Sequence, residues 1–110
     1  MLECINKIEI QGRVGAVRVT DLAETSLAKL SVATNHIYKG TDGTIVEEVT
    51  WHNITLWEGN AASKEVIHSI AKGDAVHIIG RIRQQRYTDV EGNEKCFSEI
   101  FAHQFEKVEA

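Results

Sequence analysis

Five stretches of this chain alternate apolar and polar residues with a period of two, and one stretch between the third and the fourth breaks that rhythm. Period two marks a half-buried strand, because successive side chains point to opposite faces. The first stretch runs from Ile5 to Gly12, with Ile8 and Ile10 set among Lys7, Glu9 and Gln11. It is read as ending at Gly12-Arg13-Val14-Gly15, where two glycines allow a bulge or a sharp bend. The second, Leu27 to His36, places Ala28, Leu30 and Val32 on one face. Tyr38 to Gly43 follows, and its Asp42-Gly43 step is a strong hairpin signal. Val46 to Trp57 is the third strand. From Asn60 to Gly73 the period lengthens: Ala62, Val66 and Ile70 recur every fourth residue, broadened by Ala61 and Ile67, which predicts a helix. Asn60 suits its N-cap, Gly73 its C′ position and Lys72 the negative end of its dipole. A fourth strand from Asp74 to Tyr87, the polar turn Asp89 to Asn93 and a fifth strand from Lys95 to Val108 complete the chain.

Three strands, one helix and two strands, with neither repeat nor linker, fit an all-β fold: a five-stranded Greek-key barrel of the OB type with one helix between strands 3 and 4. At 110 residues, a single domain over 1–110 uses the whole chain, since two halves would each be too small to bury a core. No apolar run approaches the ~18 residues that cross a bilayer. The start, Met1-Leu2-Glu3-Cys4, lacks the basic-then-apolar form of a secretion signal. Cys4 and Cys96 make neither a CxxC pair nor a disulfide framework and read as two reduced thiols of a cytoplasmic protein. The net charge of −4 disfavours binding a polyanion by charge alone. A nucleic-acid binder of this composition must gather its cations on one face and add something besides charge.

The third strand supplies that addition. Its even positions, His52, Ile54 and Leu56, include the aliphatic pair that should face the core, and Val49, Trp51, Asn53, Thr55 and Trp57 lie on the opposite face. Trp51 and Trp57 therefore share the outward face, roughly 20 Å apart. In the fourth strand Val76, Ile78 and Ile82 read as core, with Gly80 between them, while His77, Ile79, Arg81, Arg83, Gln85 and Tyr87 point the other way. Arg86 follows on the core parity, close to the end of the strand. Three arginines against Asp74 make this segment positive within an acidic chain. Tyr38 beside Lys39 adds an aromatic–cation pair at the hairpin loop. Rings interleaved with cations suit single-stranded nucleic acid. Unpaired bases expose flat faces that stack on indole or phenol at about 1–3 kcal/mol per base, and the cations neutralise the phosphates between them. Stacking accepts any base, and a duplex hides those faces. Each residue also has a plainer reading: strand tryptophans commonly pack in the core, and arginines commonly form solvated surface. The parity that Trp51 and Trp57 share with Asn53 and Thr55 favours exposure.

These residues resemble the bacterial single-stranded DNA-binding proteins of replication. The similarity runs from Ile5 to about Phe105 through NKIEIQGRVG (6–15), LSVATN (30–35), EVTWHNITLW (48–57), Lys72-Gly73, VHIIGRIRQQRY (76–87) and TDVEG (88–92), in order and at near-family spacing. The resemblance implies an OB barrel that assembles as a homotetramer and wraps DNA in replication, recombination or repair, in the cytoplasm and associated with the nucleoid. It implies stacking roles for Tyr38 and Trp51, which fall at tryptophan positions of the family, for Trp57 at its phenylalanine, and for Tyr87 at a further aromatic. Lys7, Lys72 and Arg83 match cationic positions that approach the DNA backbone; Lys39, Arg81 and Arg86 join them as expected phosphate contacts. His52 matches a histidine at a subunit contact. No cofactor and no metal is implied.

The chain also departs from the family pattern. Ala16 to Glu24 is shorter than usual and lacks proline; Glu58-Gly59 stands where Gly-Lys is common, and Gln85 where arginine is common. Fewer cations imply a shallow salt dependence, with a slope of about −3 if about four phosphates are neutralised per subunit. The usual Gly/Gln/Pro-rich linker and acidic tip are not found after Glu106-Lys107-Val108-Glu109-Ala110, so recruitment of partners by such a tail is not expected. Two other readings stay open. One is an enzyme, against which the absence of HExxH, GxSxG, phosphate-loop and metal-ligand patterns counts. The other is a tail-less accessory protein of primosome type on the same barrel, acting mainly through protein partners; such relatives tend to lack the full aromatic set.

Overall fold

The computed structural model describes residues 1–109. Five strands, β1 (Ile8–Asp21), β2 (Ser26–Lys39), β3 (Ile45–Trp57), β4 (Ala75–Thr88) and β5 (Glu94–Lys107), close into a barrel in the order β1-β2-β3-β5-β4. One helix, α1 (Lys64–Ser69), lies between β3 and β4. This is the five-stranded OB-type barrel that the alternation predicts. The expected inward residues Ile10, Leu30, Val32, Ile54, Leu56, Val76 and Ile78 are all buried, and Ile67, Ile70 and Ile100 join them. Each fully buried aliphatic side chain contributes about 1.5–3 kcal/mol. The neighbouring strands are antiparallel except β3 and β5, which run parallel and pair at Ile54–Ile100 and Thr55–Phe101.

The structure corrects the reading of the sequence at three places. First, β1 does not end near Gly12 but continues to Asp21, through a bulge between Val14 and Ala16. Gly15 is the extra residue, and it reverses the parity: Ile10 and Val14 face inward before it, Val17 and Val19 after it. Second, the helix covers six residues rather than the span from Asn60 to Gly73. Ser63, not Asn60, caps it, its hydroxyl accepting from the Val66 N–H at 3.3 Å. Asn60 and Ala61 are held in a turn by the Trp57 carbonyl. At the other end the chain is pulled away by β1: Gly73 N–H donates to the Val14 carbonyl (2.7 Å), and Val14 N–H to the Asp74 carbonyl (2.9 Å). Gly73 has φ of +93°, as expected of a glycine, but in this turn rather than at a helix end. The buried stripe is accordingly Ile67 and Ile70, with Val66 exposed. Third, Ile82 is 45% exposed although its parity is that of the core. The barrel ends there. The Asn6 side chain satisfies the Ile82 backbone in both directions, at 2.8 and 3.0 Å, and beyond that point β4 pairs with β5 alone.

Asp74 ties the end of β5 to this corner. It accepts from the Ala71 backbone N–H at 2.9 Å and faces Lys107 at 3.3 Å, while the Lys107 ammonium also donates to the Ser69 carbonyl. The Ala71 N–H and then Lys107 hold its carboxyl below the ordinary value of 3.8. A lowered folded-state pKa contributes stability above the unfolded value and loses it as pH falls through the folded one. Thermal melts between pH 6 and pH 2 should therefore show the wild type losing Tm below about pH 4 more steeply than Asp74→Asn. Parallel curves for the two proteins would contradict this role.

Candidate nucleic-acid interface

The bulge at Gly15 sets how the outer surface is laid out. After it, Arg18, Lys29 and Thr55 fall side by side across β1, β2 and β3, and Ala16, Ser31 and Asn53 form the next row. Trp51 and its register partner Ala33 follow. The Trp51 indole crosses β2 beside that small side chain and rests on Gly15, where a Cβ would overlap its six-membered ring. The ring is thus supported on one side and open on the other, with the residue 60% exposed. Trp57 lies on the same face of β3, half-buried and paired with Leu27. Asn53 and Thr55 separate the two indoles.

The outer face of β4 and β5 continues this surface. Arg81 holds its guanidinium 5.2 Å from the centroid of the Phe101 ring. Tyr87 and Phe97 meet edge to face at 5.8 Å. Arg83 is exposed and lies opposite Glu99. Phe97 and Glu99 reach the β1–β3 rows, and together they enclose an open cavity of about 330 Å³ lined also by Arg18, Lys29, Ser31, Asn53 and Thr55. Thr55, expected among the solvent-facing set, is buried because Glu99 covers it: its hydroxyl donates to Glu99 Oε2 at 2.9 Å. Gln85 Nε2 donates to Glu99 Oε1 at 2.7 Å.

Not every residue singled out in the sequence joins this face. Tyr38 has the opposite parity in the β2–β3 ribbon; it stacks on His36 at 5.8 Å on the other side from Trp51. Lys39 shares the parity of Trp51 but stands at the far end of the ribbon, paired with Ile45. Arg86 pairs with Cys96 on the face opposite Arg83. Lys7 is exposed just ahead of β1, and Lys72 between α1 and β4. His52 is half-buried, its Nε2 2.9 Å from the Thr34 hydroxyl. Arg18, Lys29, Phe97 and Glu99 were not among the residues the sequence singled out.

Charge is distributed so that these cations stay available. Among the described residues the lysine ion pairs are those of Lys95 with Asp89 and Lys107 with Asp74, and no arginine is in one. Asp42 and Asp89 of the two hairpin loops are engaged locally. The Thr44 hydroxyl holds the Asp42 carboxyl below its ordinary value, and the Asn93 backbone N–H does so for Asp89. Among the described residues no group of three or more His, Cys, Asp or Glu is placed to hold a metal ion. The surface therefore offers flat rings, free cations and an open cavity.

A family model described as the single-strand binding protein family matches residues 5–108. The chain is 30% identical over 99 residues to the mitochondrial single-stranded DNA-binding protein of Drosophila melanogaster, covering 89% of this chain and 67% of that one. It is 30% identical over 107 residues to single-stranded DNA-binding protein 1 of Xylella fastidiosa, with 93% and 76% covered. With a Neisseria meningitidis single-stranded DNA-binding protein the identity is 32% over 104 residues, with 91% and 58% covered. In three dimensions the fold is similar to that of the Plasmodium falciparum SSB in complex with ssDNA, with a TM-score of 0.82, 20% identity and 99% of each chain covered.

Proposed function

We propose a single-stranded DNA-binding role from one premise: this chain belongs to the single-strand binding protein family. It binds the polymer with little sequence specificity and acts by binding rather than by catalysis, protecting transiently unwound DNA in replication, recombination or repair. Trp51 carries the reading. An indole fixed on Gly15 and open to solvent, on an outer face that also carries cations free of ion pairs, is what base stacking with phosphate neutralisation requires. Trp57 and Tyr87 extend the stacking path, and Tyr38 meets the strand where it passes to the other side of the β2–β3 ribbon. Arg81 and Arg83, with Arg18 and Lys29, take phosphates along the outer face; Lys7, Lys39, Lys72 and Arg86 take those at its margins. The working form is a homotetramer, with His52 at a subunit contact, in a cytoplasmic, nucleoid-associated setting. Mass in solution with and without poly-dT reads assembly and stoichiometry together.

Tryptophan fluorescence tests the reading directly. Titration with an oligo-dT should quench emission strongly at low salt, and a duplex of the same length should not. A silent titration would reject the role and favour a protein-binding module on the same barrel. Arg83→Ala should reduce the slope of log affinity against log salt by about 0.7, the share of one phosphate on a single strand. An unchanged slope would remove Arg83 from the path.

A further inference from the structure

We propose that the cavity between β3 and the β4–β5 ribbon seats one nucleobase, prefers one bearing an exocyclic amino group, and uses the Glu99 carboxylate as the acceptor. The proposal rests on the single-stranded DNA reading above and adds a modest preference to an otherwise tolerant surface. Glu99 is 7% exposed, and each of its oxygens accepts one hydrogen bond, from Thr55 at 2.9 Å and from Gln85 at 2.7 Å. Both donors are neutral. Among the described residues Glu99 is in no ion pair, although Arg83 is its cross-strand neighbour and Arg18 and Lys29 line the same cavity. A buried carboxylate is ordinarily matched by a cation or by a full set of donors. Here each oxygen keeps a lone pair, and the residue lines about 330 Å³ of open space. The site asks for a ligand that brings polarised N–H groups.

A base with an amino group brings them. Cytosine can turn its 4-amino group to a carboxylate, a pairing that glutamate also makes with cytosine in DNA grooves. Thymine offers a single N–H flanked by two carbonyl oxygens, which repel a carboxylate. The exposed Phe97 ring gives such a base a flat wall, Asn53 a second polar contact, and Arg18 and Lys29 cations for the phosphates beside it.

The test compares two labelled oligomers about 15 nucleotides long. One is oligo-dC. In the other, 2-pyrimidinone, which is cytosine without its amino group, replaces every base. One hydrogen bond to a charged acceptor predicts about tenfold weaker binding of the second to the wild-type protein. In Glu99→Gln the gap should narrow to a few-fold. Equal affinity of the two oligomers for the wild type overturns the inference, whether or not the variant folds. A gap that persists undiminished in a folded Glu99→Gln also overturns it, since stacking alone would then account for the difference. Failure of both oligomers and of oligo-dT to bind at low salt overturns the single-stranded DNA reading itself.

Discussion

Trp51→Ala is expected to weaken oligo-dT binding by about 1–3 kcal/mol, roughly 5- to 150-fold, while leaving the salt slope in place. Only the stacking contribution is removed, because no charge changes. The fold should tolerate the change: the side chain is outside the core cluster and rests on the surface of β1 at Gly15. A companion variant separates the ring from its orientation. Gly15→Val keeps the indole but places a branched side chain where the ring lies, so it should also weaken binding. Fluorescence anisotropy at several salt concentrations reads both quantities. Full affinity in Trp51→Ala would mean that bases do not stack there.

Gly80→Ala should destabilise the barrel by about 1–3 kcal/mol, at the upper end of that range. Gly80 pairs with Ile8 of β1 on one side and Ala102 of β5 on the other, at the register shift where His103 is the extra residue. A Cβ at this position would run into the backbone carbonyl of Phe101. A flexible side chain could swing aside, but this carbonyl belongs to a strand held on both sides. The loss should appear as a drop in Tm of about 4–8 °C per kcal/mol. Gly43→Ala is the contrasting case, because nothing lies within 4 Å of its Cβ and only its positive φ resists. Comparable melting of Gly80→Ala and wild type would show that β5 can move away.

The strands were legible because one face of each is buried, so period two is written into their residues; Leu30, Val32, Ile54, Leu56, Val76 and Ile78 fell inside as read. Long-range contacts hid the rest. The second half of β1 escaped because a bulge reverses parity, and Ile10–Val14 followed by Val17–Val19 fits no single alternation. The helix stops short of Gly73 because the chain there is bonded to Val14, sixty residues away in the case of Asp74, and it starts late because the Trp57 carbonyl holds Asn60 and Ala61 in a turn. For the site, Trp51 and Trp57 could be assigned to one outward face from a single strand. The cavity could not, because Arg18, Lys29, Asn53, Phe97 and Glu99 come from four strands whose register no local pattern reveals. Lys29 did carry a usable signal, as the outward cation in the alternation of Leu27 to His36.

The two hairpin ribbons differ in kind from the barrel that bears them. Beyond Trp51 and Ile82 their strands have one hydrogen-bonded neighbour each and side chains mostly in water. Such segments open locally at a small fraction of the cost of global unfolding. Amide hydrogens from Asn35 to Val49 and from Gln84 to Ser98 should therefore exchange with deuterium long before those of Val76 and Ile78. Tyr38, Tyr87 and Phe97 ride on compliant arms, while Trp51 sits on rigid masonry. In the proposed binding mode a passing polymer would meet one stationary anvil and several jaws that adjust to its contour.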